Sequence, residues 1–459
     1  MTPLFLLAAI SFIPSPPTPE LQLKPCDIAG LSKPAQCGTY VVPERRDLEN
    51  GRTVALRVVV VQPAKRQHED PIVFIPGGPG QGAAQMAAGI VQQLQGIDEG
   101  RDVVLIDQRG TGGSSPLVCE GGFDLLSPVR RKQLQACADS LRARADLNAY
   151  GTDDAVADVE DVRGALGYER VNLVAGSYGT RPALEYMRRY PARVRTAVLR
   201  AVVPAGFNII FDATMNSDAA LNRVLDDCRA DSVCSAAAGD AHAHLEKLRA
   251  AIANTPAGVT VTLPGPKTVL LTDTLFLQTV YALLLNADTR QMLPVLLKQA
   301  TTDGMATLAS IAGSITHQVY SSVAFGMYMS VVCSEDAPRL DARQREQLRA
   351  LQGSLGSLIL DACTAWPVAA PATAPTPVTA ETPTLIISGV LDPATPASAG
   401  DEAARQLANA THVVLPATSH APFLPACGTA TIRRFIDDAS VSSVDLSCAG
   451  NVKLKAFRD

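Results

Sequence analysis

Charged residues are scarce in this chain, and the few there are nearly cancel. Asp, Glu, Lys and Arg make up 19% of 459 residues, with a formal net charge of −5 and a pI near 5.8. No run of like charges forms a polyanion or membrane-surface patch, and the acid-leaning balance argues against nucleic acid as a partner. Long apolar runs are also lacking. The one apolar stretch near the start, Leu4 to Ile10, is too short to span a bilayer, so stable membrane insertion is not expected. It precedes Pro14-Ser15-Pro16-Pro17 and has the make-up of a signal-peptide core, although no Lys or Arg comes before it. Residues 1–19 are therefore expected to be a signal peptide and linker, and the protein to be exported to the periplasm or beyond the cell. Cys-x-x-Cys is absent as well, which argues against a zinc ribbon or a thioredoxin-type site.

Ten cysteines are present, and they fall as neighbours: Cys26/Cys37, Cys119/Cys137, Cys228/Cys234, Cys333/Cys363 and Cys427/Cys448. An even count at short spacings suits disulfides in an oxidising compartment. Spacing alone does not determine connectivity, and neighbour pairing is the simplest of many arrangements. A chain of 459 residues, 47% of them hydrophobic, is globular and too long for one core of ordinary size. A main domain with a large insertion is expected.

The chain is organised around Val171-Asn172-Leu173-Val174-Ala175-Gly176-Ser177-Tyr178-Gly179-Thr180. A short apolar run stops at small residues, and a helical segment from Arg181 to Tyr190 follows. This pattern is a buried strand, a sharp turn and a helix with Ser177 at the apex, flanked by the small Ala175 and Gly179. Such a turn exposes the hydroxyl and sets the Tyr178 N–H at a helix N-terminus, where negative charge is favoured.

Upstream, Thr39–Pro43 and Thr53–Val61 are β-rich runs with the hairpin signal Asn50-Gly51 between them. The buried strand 71–75 opens into Pro76-Gly77-Gly78-Pro79-Gly80, a glycine-dense loop whose N–H groups can approach a ligand. The strand 102–106 runs into Asp107-Gln108-Arg109-Gly110-Thr111-Gly112-Gly113-Ser114, where Asp107 and Arg109 are expected to tie the loop together. A helix from Thr152 to Leu166 and a strand from Val194 to Val203 complete an alternation that implies a mostly parallel sheet with helices on both faces.

From 206 to 382 helical segments dominate (Ala219–Cys228, Ala241–Ile252, Thr274–Leu285, Arg290–Thr301, Ala342–Leu351), with one β-like piece, Val259–Leu263. This is expected to be a cap inserted between core segments 20–205 and 383–459, joined through the Pro/Ala/Thr-rich stretch Ala369–Pro383. The strand Thr384–Gly389 then leads to Asp392, and His412–Leu415 leads to His420. Both polar residues follow strand C-termini, where open α/β sheets place their chemistry.

Ser177, Asp392 and His420 occur in the chain order of a hydrolase triad on such a sheet. The hydroxyl needs a base, histidine has a pKa near neutrality, and the carboxylate fixes the ring's tautomer. The other five histidines, His68, His242, His244, His317 and His412, are expected to be structural.

Together, the strand with PGGPG, DQRGTGGS, AGSYGT, LDPATP and SHAP resemble the proline iminopeptidase branch of the α/β hydrolases, closest to its secreted tripeptidyl-aminopeptidase-like members, over about residues 38 to 450. The resemblance implies an α/β-hydrolase fold and an exported serine exopeptidase acting on peptide N-termini, with no metal or organic cofactor. It makes Ser177 the nucleophile, Asp392 the orienting acid and His420 the base, with Gly78 and Tyr178 supplying oxyanion N–H groups. Glu335, with Asp336 second, would then pair with the free amine of a peptide substrate. Two positions depart from the pattern: Pro76 replaces a usual histidine, and Leu199-Arg200-Ala201 replaces a usual Leu-Asp-Gly. An esterase or other small acyl hydrolase with the same triad is the alternative, and a non-catalytic binding protein on the same scaffold is a third possibility.

Overall fold

A computed structural model describes residues 21–119, 131–255, 259–262, 268–302, 304–371, 375–420, 426–445, 447 and 457. The expected signal segment and Cys448, half of the fifth cysteine pair, lie outside the described residues.

Among the described residues eleven strands run in chain order: β1 (Lys24–Cys26), β2 (Ala35–Pro43), β3 (Thr53–Val61), β4 (Ile72–Ile75), β5 (Val103–Ile106), β6 (Val171–Gly176), β7 (Val194–Arg200), β8 (Val259–Thr262), β9 (Thr268–Leu271), β10 (Thr384–Gly389) and β11 (Ala410–Leu415). Nine of them form one sheet in the order β1-β2-β3-β5-β4-β6-β7-β10-β11. The pairings from β5 to β11 are all parallel, and β1 to β3 add an antiparallel edge. The β2–β3 ladder pairs Ala35 with Val61 through to Pro43 with Thr53, and Asn50 in its connection takes a left-handed φ of 57°.

The unbroken apolar strands are buried on both sides, as their lack of alternation requires. In β4, Val73 and Ile75 enter one core cluster while Ile72 and Phe74 enter the other. On the larger cluster's side, the helix Thr152–Ala165 packs through Val156, Val159 and Val162, as its periodicity anticipates. β7 stops at Arg200, three residues before the expected end, because Ala201 takes a left-handed φ of 54°.

Between β7 and β10 the chain is mainly helical. The expected helices are present as Asp212–Ala230, Ala241–Ala253, Asp273–Leu284, Ala287–Thr302 and Ala342–Ala350, with the β8–β9 hairpin among them. Ser232–Ala238, Ala306–Ser322, Phe325–Val331 and Leu355–Cys363 are further helices. Among the described residues four disulfides join the expected neighbours, Cys26–Cys37, Cys119–Cys137, Cys228–Cys234 and Cys333–Cys363. Among the described residues no helix is long and apolar enough to cross a membrane.

Candidate active site

β6 ends at Gly176, and a single tight turn, Ser177–Gly179, separates it from the helix Thr180–Arg189. Ser177 sits at the apex with φ 55°, a left-handed conformation that costs a residue with a Cβ about 1–2 kcal/mol. Close packing holds it there. A Cβ on Gly179 would lie 2.3 Å from the Ile75 carbonyl oxygen and 2.4 Å from that of Pro76, so only glycine lets the turn seat on the end of β4. Across the gap, a Cβ on Gly77 would come within 3.0 Å of the Ser177 Cβ. Thr180 Oγ1 donates to the Ser177 carbonyl at 2.6 Å and accepts from Val203 N at 2.8 Å, tying the turn to the chain beyond β7.

The segments after β10 and β11 lie against each other. A Cβ on Gly389 would meet the carbonyl oxygens of Thr418 and Ser419 at 2.4 Å, so the two loops approach by backbone. This contact brings His420 to Asp392. The His420 Nδ1–H donates to the Asp392 carboxylate, with Oδ1 at 3.0 Å and Oδ2 at 2.9 Å, which leaves Nε2 as the acceptor nitrogen. Asp392 is itself fixed: Oδ1 accepts from Ala394 N at 2.8 Å and Thr395 N at 2.9 Å, and Oδ2 accepts from Thr395 Oγ1 at 2.8 Å. Burial pushes the His420 imidazolium toward losing its proton, but the charge and hydrogen bond of Asp392 outweigh it, so the pKa ends above the ordinary histidine value. Burial likewise pushes Asp392 up, and His420 with the Thr395 and Ala394 N–H groups pulls it below the ordinary carboxylate value.

Ser177, Tyr178, Gly78 and His420 line one cavity of about 540 Å³, walled on the insertion side by residues such as Phe207, Tyr281 and Tyr328. A serine hydroxyl, a carboxylate-bound histidine and two backbone N–H groups on one cavity are the kinds of group that acyl transfer uses.

The structure does not bring Glu335 and Asp336 to this cavity, which corrects their expected position. Both are buried beside Arg181. The Glu335 carboxylate accepts from Thr152 N at 2.6 Å, Thr152 Oγ1 at 2.8 Å and Arg181 Nη1 at 3.3 Å, and it lines a separate cavity of about 300 Å³. Asp336 takes both ends of the Arg181 guanidinium, at 2.9 and 3.0 Å, and also accepts from Arg339. Burial pushes the Glu335 pKa up against the pulls of Arg181 and the Thr152 N–H. A carboxylate already committed to a buried guanidinium has little left for a substrate ammonium. The acids instead brace the turn: Thr152 Oγ1 lies 3.1 Å from the Tyr178 hydroxyl, and Arg181 stacks over the Tyr178 ring. The acid-rich CSED segment signalled charge in the insertion, but its partners Thr152 and Arg181 are distant in sequence and carry no motif.

Asp107 and Arg109 hold loops, as expected. Asp107 accepts from Gln85 N and Gly113 N, while Arg109 joins Asp158 to the Glu44 and Ala149 carbonyls. His242, His244 and His412 pair with Asp226, Thr301 and Asp401 respectively, away from the cavity. The two departures stand at the site itself: Pro76 and Arg200 both line the Ser177 cavity.

The chain matches the α/β-hydrolase-fold family over residues 70–426, and it belongs to that family. It is 25% identical over 425 residues to the protein named Serine protease Hip1 of Mycobacterium tuberculosis (strain ATCC 25618 / H37Rv), covering 81% of this chain and 79% of that one. It is 27% identical over 257 residues to the Tripeptidyl aminopeptidase of Streptomyces lividans, 50% of this chain and 48% of that one. It is 33% identical over 132 residues to the Proline iminopeptidase of Neisseria gonorrhoeae, 29% of this chain and 32% of that one. Outside the Hip1 match, the aligned parts span a third to a half of the relatives' own lengths, 48% and 32% for these two and 36% for the protein named Putative hydrolase YuaR of Escherichia coli (strain K12).

Proposed function

We propose that this α/β-hydrolase-fold chain is an exported serine peptidase of aminopeptidase type, cleaving short peptides through an acyl-enzyme. The observation that carries the proposal is the strained Ser177 turn opening onto the same cavity as His420, whose Nδ1 is tied to buried Asp392. In this mechanism Ser177 Oγ attacks the scissile carbonyl as its proton passes to His420 Nε2. The Tyr178 and Gly78 N–H groups take the oxyanion, and the imidazolium returns its proton to the leaving amine. Water then attacks the ester by the reverse path, with His420 again the base. Peptide as substrate is supported by the names of the relatives. Export is supported by the four disulfides.

A second reading, a small acyl hydrolase or esterase, is favoured by one feature: among the described residues no carboxylate lines the Ser177 cavity to receive an ammonium. One panel separates the two readings: aminoacyl and tripeptidyl amides with free and acetylated N-termini, beside short-chain esters. A peptidase of this type cleaves free-amine amides best. Preference for N-blocked substrates or esters decides for the second reading. In either case Ser177→Ala lowers turnover by about 10⁶-fold with the fold intact. Retention of more than a few per cent of activity would remove Ser177 as nucleophile.

A further inference from the structure

Among the described residues Arg200 has no counter-charge. It is the last residue of β7, paired in register with Gly176, the residue before the turn serine. Its Nη2 lies 3.8 Å from where a Cβ on Gly176 would stand. Among the described residues no carboxylate comes within ion-pair distance of it. Its one side-chain partner there is a neutral amide, Gln93 Oε1, at 3.1 Å from Nη2. The guanidinium sits over the Phe74 ring, and its Nε is buried without a hydrogen-bond partner. Arg200 is half-buried, and arginines buried more deeply are paired: Arg109 with Asp158, Arg181 with Asp336, Arg101 with Asp437. Burial alone pushes the Arg200 pKa down to about 10. A half-buried cation without a counter-charge costs stability and persists where something offsets that cost.

The cavity supplies the context. Arg200 and Gln93 line the space that Ser177, Gly78 and His420 line, and no described carboxylate does. The nearby positive charge also opposes protonation of His420, so an anion bound there would remove that opposition. We propose that Arg200, with Gln93, forms an anion subsite of the Ser177 cavity, so that preferred substrates carry a carboxylate close to the scissile carbonyl. This rests on the hydrolase reading above for its link to turnover, but not for binding. The carboxylate has two possible sources, an acidic side chain beside the scissile bond or the free C-terminus of a short peptide. A guanidinium fork suits either.

The test compares kcat/KM ratios in wild type, Arg200→Met and Arg200→Lys. One peptide set contrasts Glu with Gln beside the scissile bond, with the C-terminus amidated. The other keeps neutral side chains and contrasts a free with an amidated C-terminus. One of the two ratios is expected to favour the carboxylate by about 10- to 100-fold in wild type, the span of a charge-assisted contact. It falls to about one in Arg200→Met and is partly kept in Arg200→Lys. Whichever set shows the preference identifies the source. A structural role would lower both members of a pair equally and leave the ratio unmoved. It would also lower Tm in Arg200→Met, whereas loss of a half-buried charge without a partner is expected to hold or raise it. Ratios near one in wild type, or a preference that survives in Arg200→Met, overturn the proposal. Glutarate binding to Ser177→Ala protein, read by calorimetry and lost in Ser177→Ala/Arg200→Met, needs no turnover. Glutarate binding without cleavage of any peptide or ester would refute the hydrolase reading and leave the subsite standing. Cleavage without carboxylate preference or glutarate binding would do the reverse.

Discussion

At His420 burial and charge oppose each other, and their balance is measurable. Asp392 more than offsets the desolvation of the imidazolium, so the folded pKa lies above the ordinary value near 6.5. In the proposed mechanism only neutral imidazole can accept the Ser177 proton, so kcat/KM should climb with pH along a limb centred above that value. Asp392→Asn removes the raising charge, so the limb should move to lower pH while kcat falls by about 10⁴-fold. A pH–rate profile with the same midpoint in both proteins would refute the coupling. The stability sign follows: the ion pair's contribution through His420 is complete below the ordinary histidine value and is lost as pH rises through the raised one. Through Asp392 the contribution is present above the ordinary carboxylate value and lost as pH falls through the depressed one.

The element that matters most is the turn between β6 and its helix, and its support comes from outside it. Arg181, on the first turn of that helix, is held by Asp336, while Glu335 holds Thr152 and through it approaches the Tyr178 hydroxyl. Glu335→Gln should therefore leave the Thr152 donors one poorly matched acceptor and loosen the turn, at about 1–3 kcal/mol of stability. The activity loss should be the same factor on free-amine and N-acetylated substrates, because the group acts through Tyr178 and not on the ammonium. A loss confined to free-amine peptides would return Glu335 to the substrate and count against this geometry.

Across the whole molecule, the helical insertion is fastened to itself by chemistry as well as packing. Cys333–Cys363 closes a separation of 30 residues and joins the Val332–Asp336 turn, which carries Glu335 and Asp336, to the helix Leu355–Cys363, whose Ile359 lines the Ser177 cavity. Replacing both cysteines by alanine should lower unfolding free energy by about 3–4 kcal/mol in the loop-entropy model. Denaturant midpoints decide it, and an unchanged midpoint would show that packing alone holds the insertion.

How much of this was legible in the chain depends on the range of the physics involved. Strands such as Ile72–Ile75 and Val171–Gly176, the helix through Val156, Val159 and Val162, and the small residues around Ser177 follow from local rules, with period, propensity and sterics acting over a few residues. So does the order Ser177, Asp392, His420 at three strand ends. The helix Leu355–Cys363 is not legible in the sequence because its nine residues are too few for the apolar period to repeat, although Ser354 caps its start. The sequence placed two acids in the insertion, but only the fold brought Arg181 and Thr152 to them and took them away from the cavity. It marked Arg200 as unusual, but only the tertiary structure decided that no described carboxylate reaches it and that it lines the space beside Ser177. Charge pairing is set by distances of a few ångströms between residues more than a hundred positions apart, and sequence order does not encode those distances.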